Sequence, residues 1–241
     1  MKMKKLRKII IGLVLAIILL VAAGAIYLKT NSYSASSQAV KISQTAKVKN
    51  SRVTEFKAKK NKLTVIFYPG ALVQPEAYSI WASKLARAGY TVKIAHFLLN
   101  LAIFDLSAAD KLHQQGQKFV IGGHSLGGAM ASRYAHQNLK KLQGVFFLAA
   151  YPDQKGRLDQ TSLAVLSITA SRDGVLNQEK YQKGKQYLPA NAEYETVKGG
   201  NHAGFGDYGQ QKGDRPATIS KQTQQELIAK YLIKWLNKLS R

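Results

Sequence analysis

The chain of 241 residues contains no cysteine, and only 13 of its residues are acidic against 36 that are basic. The absence of cysteine excludes a disulfide framework, a thiol nucleophile, an iron–sulfur cluster and a Cys-ligated zinc site. The shortage of acidic residues leaves a formal net charge of +23. An apolar fraction of 46% nevertheless argues against intrinsic disorder, and the length favours a single globular domain.

A long uncharged stretch near the N-terminus predicts a membrane segment. Five basic residues precede a run of 20 uncharged residues, 9–28, which as a helix would rise about 30 Å and cross a bilayer. The excess of basic charge before this run predicts that 1–8 is a cytoplasmic tail and 9–28 a single-pass anchor in the cell membrane, with the remainder extracytoplasmic. Ala23-Gly24-Ala25 resembles a signal-peptidase site, so secretion after cleavage is the alternative.

The exported part of the chain begins with a polar segment and is strongly basic. Residues 29–52 are rich in Ser, Gln, Asn, Thr and Lys without apolar periodicity, which predicts a flexible linker. Beyond the anchor region, 30 basic residues against 13 acidic ones leave a net charge of +17. This charge favours anionic lipids or wall polymers as partners, with a solvated basic surface as the alternative. No nucleic-acid-binding motif accompanies the charge, so nucleic acid is not expected as a partner.

Residues 53–241 predict one α/β domain, because short apolar runs alternate with helical patterns. Helical periodicity extends from Pro75 to Gly89, recurs at Leu106, Ala109 and Leu112, and returns near the C-terminus. The alternation predicts a mostly parallel sheet with helices on both sides. The apolar runs predict strands at 63–68, 91–97, 118–122, 144–149 and 164–169, with a weaker sixth at 194–197.

A serine between two glycines is the strongest chemical signal in the sequence. Gly123-x-Ser125-x-Gly127 follows a predicted strand and precedes a run of small residues, which is the pattern of a nucleophile elbow. Such a turn projects the serine hydroxyl beyond the carboxyl end of the sheet. It also places the Leu126 N–H at a helix N-terminus, where this group can stabilise an oxyanion. An inert serine in a tight strand–helix turn is the alternative.

A nucleophilic serine needs a base, and that base needs an acid to orient it. Asp173 follows the strand at 164–169, and His202 follows the next strand in a glycine-rich loop. Serine, acid and histidine then occur in the chain order that the elbow pattern predicts. Asp153 also follows a strand and remains the alternative acid, although an aspartate after proline is common in turns.

A second oxyanion donor is expected in the loop after the first strand, within Tyr68-Pro69-Gly70-Ala71-Leu72. The Ala71 N–H is the predicted donor, with Leu72 as the alternative. The remaining histidines are predicted to serve in packing, in support of the site or at the surface: His96, His113, His124 and His136.

Together these residues resemble the α/β-hydrolase superfamily, and 68–78 and 98–102 look like its small bacterial subgroup related to dienelactone hydrolases and carboxylesterases. The resemblance extends over residues 53–240. It implies an α/β-hydrolase fold, a Ser–Asp–His triad and ester hydrolysis without metal or cofactor. Pro69 replaces the histidine of many members, and Ser125 replaces the cysteine of true dienelactone hydrolases, so their substrate is not carried over. Because the strands at 144 and 164 are close in sequence, no cap domain is expected, and the site should be open and shallow.

The sequence therefore predicts a membrane-tethered serine hydrolase of carboxylesterase type, which cleaves acyl esters through an acyl-enzyme intermediate. Acyl transfer to a hydroxyl acceptor by the same triad is one alternative. Another is a non-catalytic module of the same fold that binds anionic envelope polymers through the charge of +17.

Overall fold

The computed structural model describes residues 2–240, which divide into two compact units, one ending at Ser32 and the other beginning at Tyr33. The first unit is a single long helix, α1 (Lys2–Thr30). From Met3 to Thr30 this helix is long and apolar enough to cross a membrane. The stretches predicted as tail and anchor are thus one continuous helix from Lys2 onward, and Met1 lies outside the described residues.

The second unit is built on one sheet of eight strands in the order β1-β2-β4-β3-β5-β6-β7-β8. The strands from β3 to β8 pair in parallel, whereas β1 and β2 are antiparallel to their neighbours. The strands are β1 (Val48–Lys49), β2 (Val53–Phe56), β3 (Leu63–Tyr68), β4 (Tyr90–Ala95), β5 (Phe119–His124), β6 (Leu142–Leu148), β7 (Ala164–Ala170) and β8 (Glu193–Val197). The helices are α2 (Ser37–Ser43), α3 (Ser79–Arg87), α4 (Leu126–Gln137), α5 (Gln178–Gly184) and α6 (Lys221–Leu239).

Two hydrophobic cores lie on the two faces of this sheet, because side chains alternate along each strand. In β3, Val65 and Phe67 pack into the core under α3 and α6, while Ile66 and Tyr68 pack into the core under α4. All four side chains are fully buried. The predicted mostly parallel sheet with helices on both sides is confirmed.

The prediction of a helix around Leu106, Ala109 and Leu112 is wrong. This region contains only a short 3-10 turn, Ala108–Lys111. The Tyr68 hydroxyl accepts a hydrogen bond from the Ala109 N–H and donates one to the Leu106 carbonyl, both at 2.9 Å. Because a side chain from β3 occupies these backbone groups, they are not available for the bonds of an α-helix.

The prediction of a flexible linker at 29–52 is also wrong from Tyr33 onward. The Tyr33 N–H donates to the Leu72 carbonyl at 2.7 Å, and the Gln74 N–H donates to the Tyr33 carbonyl at 3.0 Å. The Ser36 N–H donates to the Asp207 carbonyl at 2.8 Å, and the Ser36 hydroxyl also bonds the Asp207 carboxylate. We call residues 33–36 the strap, because they join two separate loops of the domain.

The chain after the strap belongs to the domain as well. Helix α2 begins at a Ser36 N-cap and buries Ala39 and Ser43, and β1 pairs with β2 at the edge of the sheet. The domain therefore begins at Tyr33 and not at residue 53. The segment lacks apolar periodicity because it is held by backbone hydrogen bonds and a few small buried residues.

The connection from β6 to β7 is short. Over residues 149–163 it contains one 3-10 turn, Gln154–Gly156, and within the part of the chain that the structure describes it forms no α-helix. The carboxyl edge of the sheet is consequently not covered by a helical insertion at this point.

Candidate active site

Ser125 lies at the turn between β5 and α4, at the carboxyl end of the sheet. Its backbone φ of 51° and ψ of −122° lie in a region that side-chain-bearing residues rarely adopt, at a cost on the order of 1–3 kcal/mol. A Cβ on Gly123 would lie 2.4 Å from the carbonyl carbon of Gly127. A Cβ on Gly127 would lie 2.1 Å from the Tyr68 carbonyl oxygen. Glycine is therefore required on both sides of the strained serine, as in a nucleophile elbow.

Asp173 and His202 form a buried pair. The His202 Nδ1 lies 2.8 Å from the Asp173 Oδ2, and both side chains are almost completely excluded from solvent. The other carboxylate oxygen, Oδ1, accepts hydrogen bonds from the N–H groups of Val175 and Leu176, each at 2.8 Å. These donors hold the carboxylate in one orientation, with Oδ2 facing the His202 Nδ1.

Ser125 and His202 line the same pocket, which has a volume of about 270 Å³. Within residues 2–240 the buried His202 Nε2 has no hydrogen-bond partner, so this nitrogen is available to a group in this pocket. The other lining residues are mostly small or apolar: Leu126, Ala129, Ala149, Ala150, Tyr151, Val175, Leu176 and Asn177. This volume is slightly below the range of about 300–1,000 Å³ that is typical of small-molecule sites.

The alternative acid, Asp153, is engaged elsewhere. Its carboxylate accepts from the Arg133 Nε at 3.2 and 3.1 Å and caps the 3-10 turn through the Gly156 N–H. The Arg133 guanidinium lowers the pKa of Asp153. The structure therefore brings Asp173, and not Asp153, to the candidate base.

The two predicted oxyanion donors have free N–H groups. Among the described residues 2–240, neither the Ala71 nor the Leu126 N–H has an acceptor within hydrogen-bond distance. The alternative donor Leu72 is occupied, because its N–H bonds the Asn100 carbonyl at 2.9 Å. Of the two alternatives in this loop, Ala71 is the one whose N–H remains available to a ligand.

A buried chain of hydrogen bonds links the loop that contains Ala71 to the elbow. The Gly70 N–H donates to the Tyr78 hydroxyl, which in turn lies 2.9 Å from the His124 Nδ1. Burial raises the pKa of Tyr78, whereas burial and the neighbouring His202 lower the pKa of His124 well below its ordinary value. Tyr78 is therefore the donor and His124 the neutral acceptor. His124 supports the site without touching the pocket, as its position next to Ser125 predicts.

The other three histidines are bonded outside the pocket. His96 lies 2.9 Å from the Thr54 hydroxyl, while His113 and His136 bond the carbonyls of Ala109 and Arg157. Within the described part of the chain, no cluster of three or more His, Asp and Glu side chains is placed to hold a metal ion.

A turn later in the chain joins the loop that contains Asp173, the acid loop, to the loop that contains His202, the histidine loop. The Asp214 carboxylate accepts from the Gly174 N–H at 3.0 Å and from the Ala203 N–H at 2.9 Å. The adjacent Arg215 guanidinium donates to the Asp173 carbonyl at 2.8 Å. It also donates to the carbonyls of the two residues before Asp173, at 3.3 and 3.2 Å. We call Asp214 and Arg215 the clamp, because they bind the residues next to both members of the buried pair.

The sequence analysis missed the clamp, the strap and Tyr78. Gly213-Asp214-Arg215-Pro216 has the composition of an ordinary turn, and nothing in its spacing relates it to Asp173. Tyr78 could have been suspected from the sequence, because it carries a hydroxyl group on an otherwise apolar helical face. A buried tyrosine hydroxyl needs a hydrogen-bond partner in a neighbouring segment.

The solved structures similar to the chain include hydrolases of low sequence identity, and these allow a comparison of the fold alone. A dienelactone hydrolase from Anabaena variabilis is 15% identical with a TM-score of 0.58, and the match covers 77% of this chain and 90% of that one. The esterase domain of a Rhodothermus marinus protein is 14% identical with a TM-score of 0.57, covering 75% and 88%. A predicted CIB-like hydrolase from Thermoplasma acidophilum is 17% identical with a TM-score of 0.56, covering 78% and 96%.

The fold is that of the α/β hydrolases. A family model described as the alpha/beta hydrolase family matches residues 64–226, which are most of the domain. The chain belongs to this family, as the resemblance seen in the sequence implies. No curated protein matches the chain.

Proposed function

We propose that this protein is a membrane-anchored serine hydrolase that cleaves carboxylic esters outside the cytoplasm. The observation that carries the proposal is the 2.8 Å contact between Asp173 and His202, which leaves the His202 Nε2 unpaired in the pocket that Ser125 lines. This arrangement supplies a nucleophile, a base and an orienting acid in one place.

Acylation begins when a substrate ester enters the pocket and Ser125 attacks its carbonyl carbon. The hydroxyl proton passes to the His202 Nε2, and Asp173 stabilises the imidazolium that forms. The negative charge on the carbonyl oxygen is stabilised by the N–H groups of Ala71 and Leu126, each of which contributes about 3–4 kcal/mol in comparable sites. His202 then protonates the leaving alcohol, which leaves an acyl group on Ser125.

Deacylation repeats these steps with water as the nucleophile. His202 removes a proton from a water molecule, the water attacks the acyl carbonyl, and the carboxylic acid leaves as Ser125 regains its proton. If an alcohol replaces water, the same residues transfer the acyl group, so product analysis with added alcohols separates hydrolysis from acyl transfer.

The proposed location of the enzyme rests on its first helix. A span with five basic residues before it and only Lys29 close behind it favours an uncleaved anchor with the N-terminus in the cytoplasm. N-terminal sequencing of the mature protein distinguishes this anchor from a cleaved signal peptide, since cleavage would remove residues up to Ala25.

An anionic partner, such as lipid headgroups or wall polymers, is part of the proposal. A groove of about 620 Å³ at the amino edge of the sheet contains Lys57, Lys62, Lys93 and Lys118, with Glu55 as its acidic residue. Binding of anionic polymer that weakens with salt and survives loss of the nucleophile would support this partner.

The test of catalysis is covalent labelling together with turnover. The full chain in detergent is expected to react with a fluorophosphonate probe and to hydrolyse members of a soluble ester panel. Ser125→Ala should abolish both activities, whereas Ser162→Ala, which removes an exposed hydroxyl from the β6–β7 connection, should leave both intact. Wild-type protein that neither reacts with the probe nor hydrolyses any ester would refute the proposal.

A further inference from the structure

The candidate membrane helix is joined to the domain by a very short connection. Helix α1 ends at Thr30, and the strap begins at Tyr33. Three residues of chain span at most about 11 Å when fully extended. This limit comes from covalent geometry alone and holds for any arrangement of the two units.

The strap attaches to two loops of the site. Tyr33 bonds Leu72, directly after the candidate oxyanion donor Ala71, and its ring lies 5.6 Å from that of Tyr208 in the loop after His202. Ala35 forms a backbone bridge with the same Tyr208. The chain therefore enters the domain at the edge of the sheet where Ser125 lies.

The same edge exposes a group of large apolar side chains, which we call the apolar rim: Leu98, Ile103 and Phe104. Their exposed fractions are 70%, 52% and 53%. They follow the carboxyl end of β4, and the Asn100 carbonyl between them accepts the Leu72 N–H at 2.9 Å. Three large apolar side chains exposed within seven residues indicate a surface that contacts an apolar partner.

We propose that the active site works against the outer surface of the bilayer and that its substrate is an ester of a lipid-like alcohol that resides in the membrane. The inference rests on the proposed function, including the uncleaved anchor. The proposed occupant of the apolar rim is the bilayer, because only three residues of chain connect the end of the candidate membrane helix to Tyr33, which bonds the same loop as Asn100 does. A small acyl group fits the pocket of about 270 Å³, while the larger alcohol part of the ester remains in the lipid.

Two acetate esters test this proposal, since both deliver the same acyl group to Ser125. The first is glycerol monoacetate in water, and the second is 1,2-dihexadecyl-glycerol acetate embedded in phosphatidylcholine vesicles that contain the full chain. At equal bulk concentration, the embedded ester is expected to be hydrolysed at least tenfold faster, and the ratio of the two rates is the quantity to follow.

An insertion separates the domain from its anchor without altering the site. A flexible Gly/Ser segment of 20 residues between Asn31 and Ser32 has a root-mean-square span of about 25 Å, so the domain can turn away from the lipid. The ratio of embedded to soluble turnover should fall about threefold or more, with hydrolysis of glycerol monoacetate unchanged. An unchanged ratio would overturn the inference.

Substitutions in the apolar rim test the contact itself. The triple variant Leu98→Ser, Ile103→Ser, Phe104→Ser should lower the ratio about fivefold, because it removes apolar surface from the lipid contact. Leu139→Ser is the matched control, since Leu139 is also exposed but precedes β6 at the opposite edge of the sheet. A similar fall in both variants would contradict the proposed contact.

The outcomes separate this inference from the proposed function. Hydrolysis of the soluble ester without preference for the embedded one overturns only the inference. Loss of residues 1–25 from the mature protein also overturns it, because the domain would then have no anchor. If wild-type protein cleaves neither acetate and does not react with fluorophosphonate, the proposed function itself fails.

Discussion

Replacement of Asp214 by alanine should lower catalysis without removing any group that touches the substrate. The Asp214 carboxylate bonds the N–H groups of Gly174 and Ala203, which directly follow Asp173 and His202 in the chain. Without it, the acid loop and the histidine loop lose their shared acceptor. We therefore expect the His202 ring to move relative to Ser125 while the pocket keeps its lining.

The size of the effect follows from these two bonds, because the third bond that the Asp214 carboxylate accepts, from the N–H of the adjacent Arg215, does not link the two loops. A hydrogen bond to a charged group contributes about 1.5–3 kcal/mol, and partial exposure of Asp214 favours the lower end of this range. Loss of two bonds at the lower end decreases the unfolding free energy by about 3 kcal/mol, which lowers the Tm by about 6–12 °C for a domain of this size. Because a displacement of 1 Å can cost about 100-fold in rate, kcat should fall about 10- to 100-fold while KM changes little.

Steady-state kinetics with p-nitrophenyl acetate and thermal unfolding measure both effects on the same samples. Asp214→Asn keeps one carbonyl acceptor and should recover part of the lost kcat. Glu179→Gln is the control, since it breaks an exposed ion pair with Lys183 on α5 and should change neither quantity appreciably. If Asp214→Ala lowers the Tm but leaves kcat unchanged, the clamp stabilises the fold only, and the positioning role is refuted.

Three further predictions concern the acid, the pocket and pH. Asp173→Asn should lower kcat about 10³- to 10⁴-fold, whereas Asp153→Asn should leave kcat within about twofold; equal losses would contradict the assignment. Ala129→Leu should fill part of the pocket and reduce turnover of butyrate esters about tenfold relative to acetate esters, measured over an acyl-chain series; an unchanged preference would place the acyl group elsewhere. Burial, with a contribution from His202, lowers the pKa of His124 in the folded domain. As the pH falls, His124 therefore binds a proton in the unfolded chain before it does so in the folded domain. The unfolding free energy from urea titrations should therefore decrease as pH falls below about 6.5, and His124→Asn should show a shallower decrease; identical slopes would refute this cause.

The strands from β3 to β7 were predictable from the sequence because they are short apolar runs buried on both faces, whereas the short edge strands β1 and β2 were not predicted. The run at 63–68 coincides with β3, and the run at 164–169 differs from β7 by one residue. The elbow was predictable because close packing admits only glycine at 123 and 127, which leaves a local pattern. Asp173 and His202 followed from chain order, and the structure brings these two side chains together.

The parts that could not be predicted depend on contacts between distant segments. The strap bonds residues that are about 40 and 170 positions away, mainly through backbone groups that any sequence possesses. The clamp bonds Gly174 across 40 residues, and Asp214 has no local feature that distinguishes it from a turn residue. The Ala109 N–H donates to the Tyr68 hydroxyl of β3, and this distant contact prevents the helix that the weak apolar periodicity predicts.

The strap also determines where the domain can be separated from its first helix. A recombinant fragment that starts at residue 53 would lack the partners of the Leu72 carbonyl and the Asp207 carboxylate, next to Ala71 and in the loop of His202. A fragment that starts at Tyr33 retains both partners. Any cleavage that leaves the domain with both partners must likewise fall before Tyr33, within a few residues of the end of α1.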